Sequence, residues 1–158
     1  MILYHGTDCD FSRIDLGKSC GRRDFGVGFY TTTLCAQAEN WAKSKRFRNM
    51  STHAYVYVFE YEPAQDLDVK IFEGLSIEWL EMIKANRKLG GTRHAYDVVI
   101  GPVANDDTMV TVNRYVQGIY TSDEAIGRLR FSKANDQVSF HTERAVSCLT
   151  LLRRYEVE

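Results

Sequence analysis

No stretch of this sequence comes near the roughly 20 consecutive apolar residues that span a bilayer, so a membrane-crossing role is not expected. Cysteine is scarce: four residues at 9, 20, 35 and 148, with no CxxC pair and no Cys/His ladder at zinc spacing. No metal site is expected, and isolated thiols in a chain able to build its own core point to a reducing compartment. There are two prolines, Pro63 and Pro102, each just after a strand-like run. No Pro/Ser-rich linker, low-complexity tract or internal repeat divides the chain, so a single domain over residues 1–158 is expected. An excess of either charge is also missing. Twenty Lys and Arg against 21 Asp and Glu leave a formal net charge of −1, which argues against a global basic field for nucleic acid or anionic membrane. The basic residues bunch at Arg22-Arg23, from Lys43 to Arg48, and at Arg153-Arg154. Each bunch reads as a solvated face or as part of a local basic groove. Met1 leads straight into the strand-like Ile2-Leu3-Tyr4, leaving no room for a signal peptide, and a cytoplasmic location is expected.

What is present is a globular balance, 44% apolar against 26% charged residues, with enough length to bury a core. Two segments near the start carry the most chemistry. In Leu3-Tyr4-His5-Gly6-Thr7, apolar residues lead into a histidine with glycine directly behind it, so nothing crowds the imidazole. In Asp24-Phe25-Gly26-Val27-Gly28-Phe29-Tyr30-Thr31-Thr32, glycines allow close approach of a backbone or ligand before a tyrosine flanked by threonines. Each reads as a strand that ends by presenting one polar aromatic, and a strand holds such a side chain rigidly.

The rest alternates between helix and strand patterns. Thr33 is a candidate N-cap for a helix carrying Leu34, Ala38, Trp41 and Ala42 on one face and basic residues near its end. Residues 53–62 form the clearest strand pattern, with Tyr55, Tyr57, Phe59 and Tyr61 on one parity. A further strand is expected over 66–72. Ser76 caps a helix with Trp79, Leu80 and Ile83 inward, ending before Gly90-Gly91. Residues 96–103 read as a buried strand. A turn then leads into a helix through Val112, Tyr115, Val116 and Ile119; there Asp106 or Asp107 serves as N-cap, or Asn105 or Asp106 forms a polar lip on a pocket. Thr121 to Glu124 is a capping box. A strand from Gln137 to Phe140, a helical turn after Thr142 and a strand from Leu149 to Val157 close the chain. His94 and His141 read as exposed or structural. Strands gathered at both ends around central helices predict an α+β fold.

The two opening segments resemble the NAD-binding core of ADP-ribosyltransferases. More broadly the chain is similar to DUF3990 proteins, through Leu3-Tyr4-His5-Gly6, residues 23–32, Gln37-Ala38 with Trp41-Ala42, residues 97–106 and Gln137 to Phe140. The resemblance implies an ADP-ribosyltransferase-like fold, with two packed, mostly antiparallel sheets flanked by helices, and NAD as co-substrate without a metal. It implies that His5 orients NAD, Tyr30 stacks on nicotinamide and Gln137 touches the ribose. Tyr4, Gly6, Thr7, Arg23, Gly28, Phe29 and Thr31 would surround the dinucleotide, with Arg22 and Arg23 suited to its pyrophosphate. It also implies an intracellular toxin or modifier of the toxin–antitoxin type, with a macromolecular acceptor and a small antitoxin protein as partners.

One departure stands out. Transferases of the His-Tyr-Glu type begin a late strand with a glutamate, and the matching position here is Gln137. An amide can hydrogen-bond a ribose hydroxyl, but it supplies no negative charge to an oxocarbenium ion and accepts no proton. Losing a charged hydrogen bond in a dry site costs roughly 1.5–3 kcal/mol, about one to two powers of ten in rate. Asp136 and Glu143 are nearby carboxylates in sequence. The glutamine leaves two further readings open: a weak or inactive module that binds NAD or ADP-ribose, and a protein-interaction domain using the aromatic row of residues 55–61.

Overall fold

A computed structural model of the chain describes all residues except 20, 105 and 130–134, with the side chains of 106 and 107 also set aside. The architecture is α+β, in two sheets. The first has the order β1-β3-β7, with β1 Ile2–Thr7, β3 Tyr55–Tyr61 and β7 Leu149–Glu156, all antiparallel. The second has the order β2-β6-β5-β4, with β2 Phe29–Thr31, β6 Asn135–Phe140, β5 Val98–Val103 and β4 Val69–Ile71; only the β4–β5 pair is parallel. The sheets are sewn together at one backbone bridge among the described residues, Tyr4 to Thr32, with reciprocal N–H···O bonds of 2.8 and 2.9 Å.

The helices cover the two outer faces. Helix α1, Cys35–Asn49, packs Ala38 and Ala42 against Val56 and Val58 of the first sheet. Between the sheets, Leu3 and Tyr61 meet Val98, Val138 and Phe140. On the far face of the second sheet, Tyr30 and Val99 pack with α2 (Ile77–Leu89), α3 (Asp106–Val116) and α4 (Ser122–Leu129). A short helix α5, Glu143–Val146, links β6 to β7. Strand β3 is therefore buried on both faces over most of its length; of the aromatic row, Tyr57, Phe59 and Tyr61 belong to the interior and Tyr55 is half-buried. The row is thus core packing rather than an exposed aromatic surface.

Local signals were met where partners are close in sequence. Ser76 Oγ accepts from the Trp79 amide at 3.2 Å, Thr142 Oγ1 accepts from the Ala145 amide at 3.3 Å, and Thr121 and Glu124 form the capping box in both directions. Other expectations need correction. The second opening strand shrinks to Phe29–Thr31, and that over 66–72 to Val69–Ile71. Thr33 does not cap α1, because its amide and hydroxyl both go to Asp136 on β6. Leu34 and Ile119 face solvent. Gln137 is the third residue of an interior strand rather than its first.

Candidate functional site

A cleft of about 1040 Å³ opens where the sheets part beyond the Tyr4–Thr32 bridge. His5 from β1, Tyr30 from β2 and Gln137 from β6 all line it, three residues brought together from strands far apart in sequence.

His5 Nδ1–H donates to the Tyr30 carbonyl at 2.6 Å, and the ring stacks on Phe29 at 4.3 Å between centroids. A carbonyl only accepts, so the proton sits on Nδ1 and Nε2 is left with its lone pair. Burial and the nearby Lys45 ammonium pull the imidazole down to about 3, and it stays neutral at physiological pH. Nε2 is thus suited to accept a hydrogen bond from a sugar hydroxyl, the reverse polarity of a cationic histidine.

Tyr30 is anchored at its far end. Its phenol donates to the Gly26 carbonyl at 2.6 Å and accepts from the Phe25 amide at 3.1 Å. Burial pushes the phenol upward, away from ionisation. The loop it grips is itself fixed: Asn86 Nδ2 donates to the Asp24 carbonyl, His94 to the Phe25 carbonyl and His141 to the Val27 carbonyl. His94 and His141 are structural, and burial lowers both, His141 to about 4. The Arg23 guanidinium lies over the Tyr30 ring, 5.2 Å from its centroid, a cation–π contact on the aromatic expected to stack on a ligand.

Gln137 is 2% exposed, and its Nε2 donates to the Pro102 carbonyl at 3.1 Å. Trp79 Nε1 donates to the same oxygen at 2.9 Å. The amide is thereby oriented, with Oε1 as its remaining polar atom. Neither nearby carboxylate reaches the cleft. Asp136 is taken by Thr32 and Thr33, and Glu143 lies on α5 beside a different depression. Asp24 is the only carboxylate among the described side chains lining the cleft, and Arg87 holds it at 2.5 Å.

Of the other residues expected around the dinucleotide, Arg23 lines the cleft and the rest form its scaffold. A Cβ at Gly6 would lie 1.9 Å from the Ala38 carbonyl, so this glycine admits helix α1 rather than a ligand. Gly28 admits His141 and the Phe140 carbonyl. Thr7 and Thr31 spend their hydroxyls on the Cys9 amide and the Val138 carbonyl, Tyr4 packs near α1, and Phe29 supports His5 from behind. Asn105 falls outside the described residues.

The rim was only partly visible in sequence. Arg22, Arg23, Lys43, Lys45 and Arg48, from two separate basic bunches, converge here, joined by Arg87 from α2. Trp41 and Phe47 of α1 add aromatic surface. Arg87 has no local signal, since its place depends on how α2 packs. Among the described residues no group of His, Cys, Asp or Glu side chains could hold a metal, and no helix is long and apolar enough to cross a membrane.

One family model matches the chain over residues 1–151; its description is a protein of unknown function, DUF3990. No curated protein and no solved structure matches.

Proposed function

The chain belongs to the DUF3990 family, and from the cleft it builds we propose that it is an NAD-dependent ADP-ribosyltransferase of modest intrinsic rate. The observation that carries this reading is the meeting of His5, Tyr30 and Gln137 at one cationic cleft. NAD is a dinucleotide whose glycosidic bond to nicotinamide is already primed, because the leaving group departs neutral. The protein has to hold the two ends in place, keep out bulk water and tolerate an oxocarbenium-like ribose. In this reading His5 Nε2 accepts from a ribose hydroxyl, Tyr30 offers its ring to the nicotinamide as Arg23 moves onto the pyrophosphate, and Gln137 Oε1 accepts from the ribose 2′-hydroxyl. The role in the cell is that of a cytoplasmic toxin or modifier, held in check by a small antitoxin protein.

The amide at 137 makes the sharpest test. Gln137→Glu restores a negative charge beside the ribose without stranding the Pro102 carbonyl, which keeps the Trp79 N–H. It is expected to raise nicotinamide release from labelled NAD by about ten- to a hundredfold. His5→Ala is expected to abolish transfer into a cell lysate, and Tyr30→Ala to do the same, with urea unfolding of each variant as the control. Unchanged NAD in both the wild type and Gln137→Glu would sink the transferase reading.

A second reading has one observation in its favour: the sole described carboxylate at the cleft is committed to Arg87. A module that binds NAD or ADP-ribose without turning it over would give a calorimetric binding signal with no nicotinamide released.

A further inference from the structure

The cleft rim carries more positive charge than a dinucleotide accounts for, and it carries it next to bare aromatic surface. Arg22, Arg23, Lys43 and Arg48 line the cleft, and none makes an ion pair among the described residues. Arg22 is steadied by the Arg87 and Lys88 carbonyls at 2.9 and 3.1 Å, and Arg23 by the Tyr30 ring. Lys43 and Phe47 are four residues apart on α1, as are Ser44 and Arg48, so each pair shares a strip of the helix surface. Phe47 is 86% exposed although it lines the cleft. The whole chain has a net charge of −1, so this concentration of cations is a local feature.

Cations interleaved with an uncovered aromatic suit single-stranded nucleic acid, in which phosphates meet the cations and an unpaired base stacks on the ring. A duplex offers phosphates but keeps its base faces stacked inside. An acidic peptide would satisfy the charges and leave Phe47 and Trp41 without a matching partner. The cleft volume stands at the top of the roughly 300–1,000 Å³ typical of small-ligand pockets, leaving room for a nucleotide beside a dinucleotide.

We propose that the acceptor is single-stranded nucleic acid, laid along α1 with phosphates on Lys43, Arg48 and Arg22 and a base on Phe47. The chemistry rests on the transferase reading; the binding surface does not. In the transfer, the C1′–N bond to nicotinamide breaks and its electron pair neutralises the ring nitrogen. A lone pair from a base nitrogen or a terminal phosphate oxygen forms the new bond to C1′, and a base N–H gives its proton to solvent.

The surface is tested by fluorescence anisotropy of the whole chain, without NAD, against a fluorescein-labelled single-stranded RNA of mixed sequence, a DNA of the same sequence, and the duplex. The expected result is single-strand binding that weakens as salt rises. Lys43→Glu and Arg48→Glu each reduce affinity on the order of tenfold or more and flatten the salt dependence. Phe47→Ala reduces it on the order of tenfold with the salt dependence kept. Arg153→Glu, on β7 and away from the cleft, leaves it unchanged. Failure of the wild type to bind either single strand, tighter binding of the duplex, or an equal loss in Arg153→Glu would overturn the proposal. Label transferred from NAD in a lysate is expected to be removed by nuclease and retained after protease. Removal by protease alone overturns the acceptor and leaves the transferase standing. Single-strand binding without NAD consumption overturns the transferase reading and leaves the surface standing.

Discussion

The floor and the rim of the cleft are built on opposite terms. On the floor, each of the three side chains is held by an internal partner through one of its polar groups: His5 through Nδ1 on the Tyr30 carbonyl, the Tyr30 phenol between Gly26 and Phe25, Gln137 through Nε2 on Pro102. On the rim, Lys43 and Arg48 are cations outside any described ion pair, and Phe47 is an aromatic almost wholly in water. The difference separates two demands on one site. In the proposed transferase, the groups that would meet the reacting bond are held by the fold itself, which removes the entropic cost of arranging them on binding. Groups that would draw in the proposed nucleic acid gain by staying solvated and reachable, because surface charge acts at a distance and through salt-sensitive encounter.

Substitutions beneath the floor should therefore register in stability, and substitutions on the rim only in binding. The largest effect is expected from Gly6→Ala, whose new methyl must displace helix α1 from the first sheet. A loss of about 3 kcal/mol or more, read from urea unfolding, is the expectation; an unchanged midpoint would mean that α1 is not seated where it is described. Acid comes next. The native protein keeps His5 and His141 neutral, with values near 3 and 4, whereas the unfolded chain protonates them near 6.5. The unfolded state then binds more protons, so stability is full above about pH 6.5 and falls as pH drops toward 3. Arg144 holds the Asp97 carboxyl below the usual carboxylate range, which adds a loss in the same direction below about pH 4. Together these amount to a few kcal/mol, measurable as a falling urea midpoint between neutrality and pH 4. Tyr30→Phe is smaller, about 1–3 kcal/mol, because it strands the Gly26 carbonyl and the Phe25 amide without opening a cavity. Hydrogen exchange at Phe25 should rise with it. Smallest of all is Arg48→Glu, expected to shift the unfolding midpoint by no more than about 0.5 kcal/mol.

The same division explains what could be read in the sequence. Ser76 and Thr121 were legible as caps, and the helical turn after Thr142 was legible too, because a cap and its amide lie within one helical turn. Strand β3 was legible because seven residues of alternating pattern have few other solutions. Thr33 was misread because Asp136, 103 residues away, outbids the local amide for its hydroxyl. Gly28 was read as allowing close approach, but a glycine does not say what approaches, and here it is a histidine; Gly6 was read as leaving the imidazole uncrowded, whereas what it admits is helix α1. Of the candidate site, His5, Tyr30 and Gln137 could be named through the family resemblance, which rests on the order of several short segments along the chain rather than on any one of them. The rim was legible only in part: the two basic bunches allowed a local groove, but Arg87 carried no signal, and only the packing of α1 and α2 brings them to one edge.

Among the described residues, the bridge between Tyr4 and Thr32 is the one backbone link from sheet to sheet. His5 follows one of the bridged residues directly, and Tyr30 stands two residues before the other, so both sit beside the rivet that joins the sheets. In a pair of shears, travel grows with distance from the rivet. By that geometry, an opening of one sheet against the other, resisted by the apolar core they share, would move α1 and its charges further than it parts the histidine and tyrosine. An opening of that kind would let the helix side follow the shape of a bound molecule while His5 and Tyr30 kept their spacing.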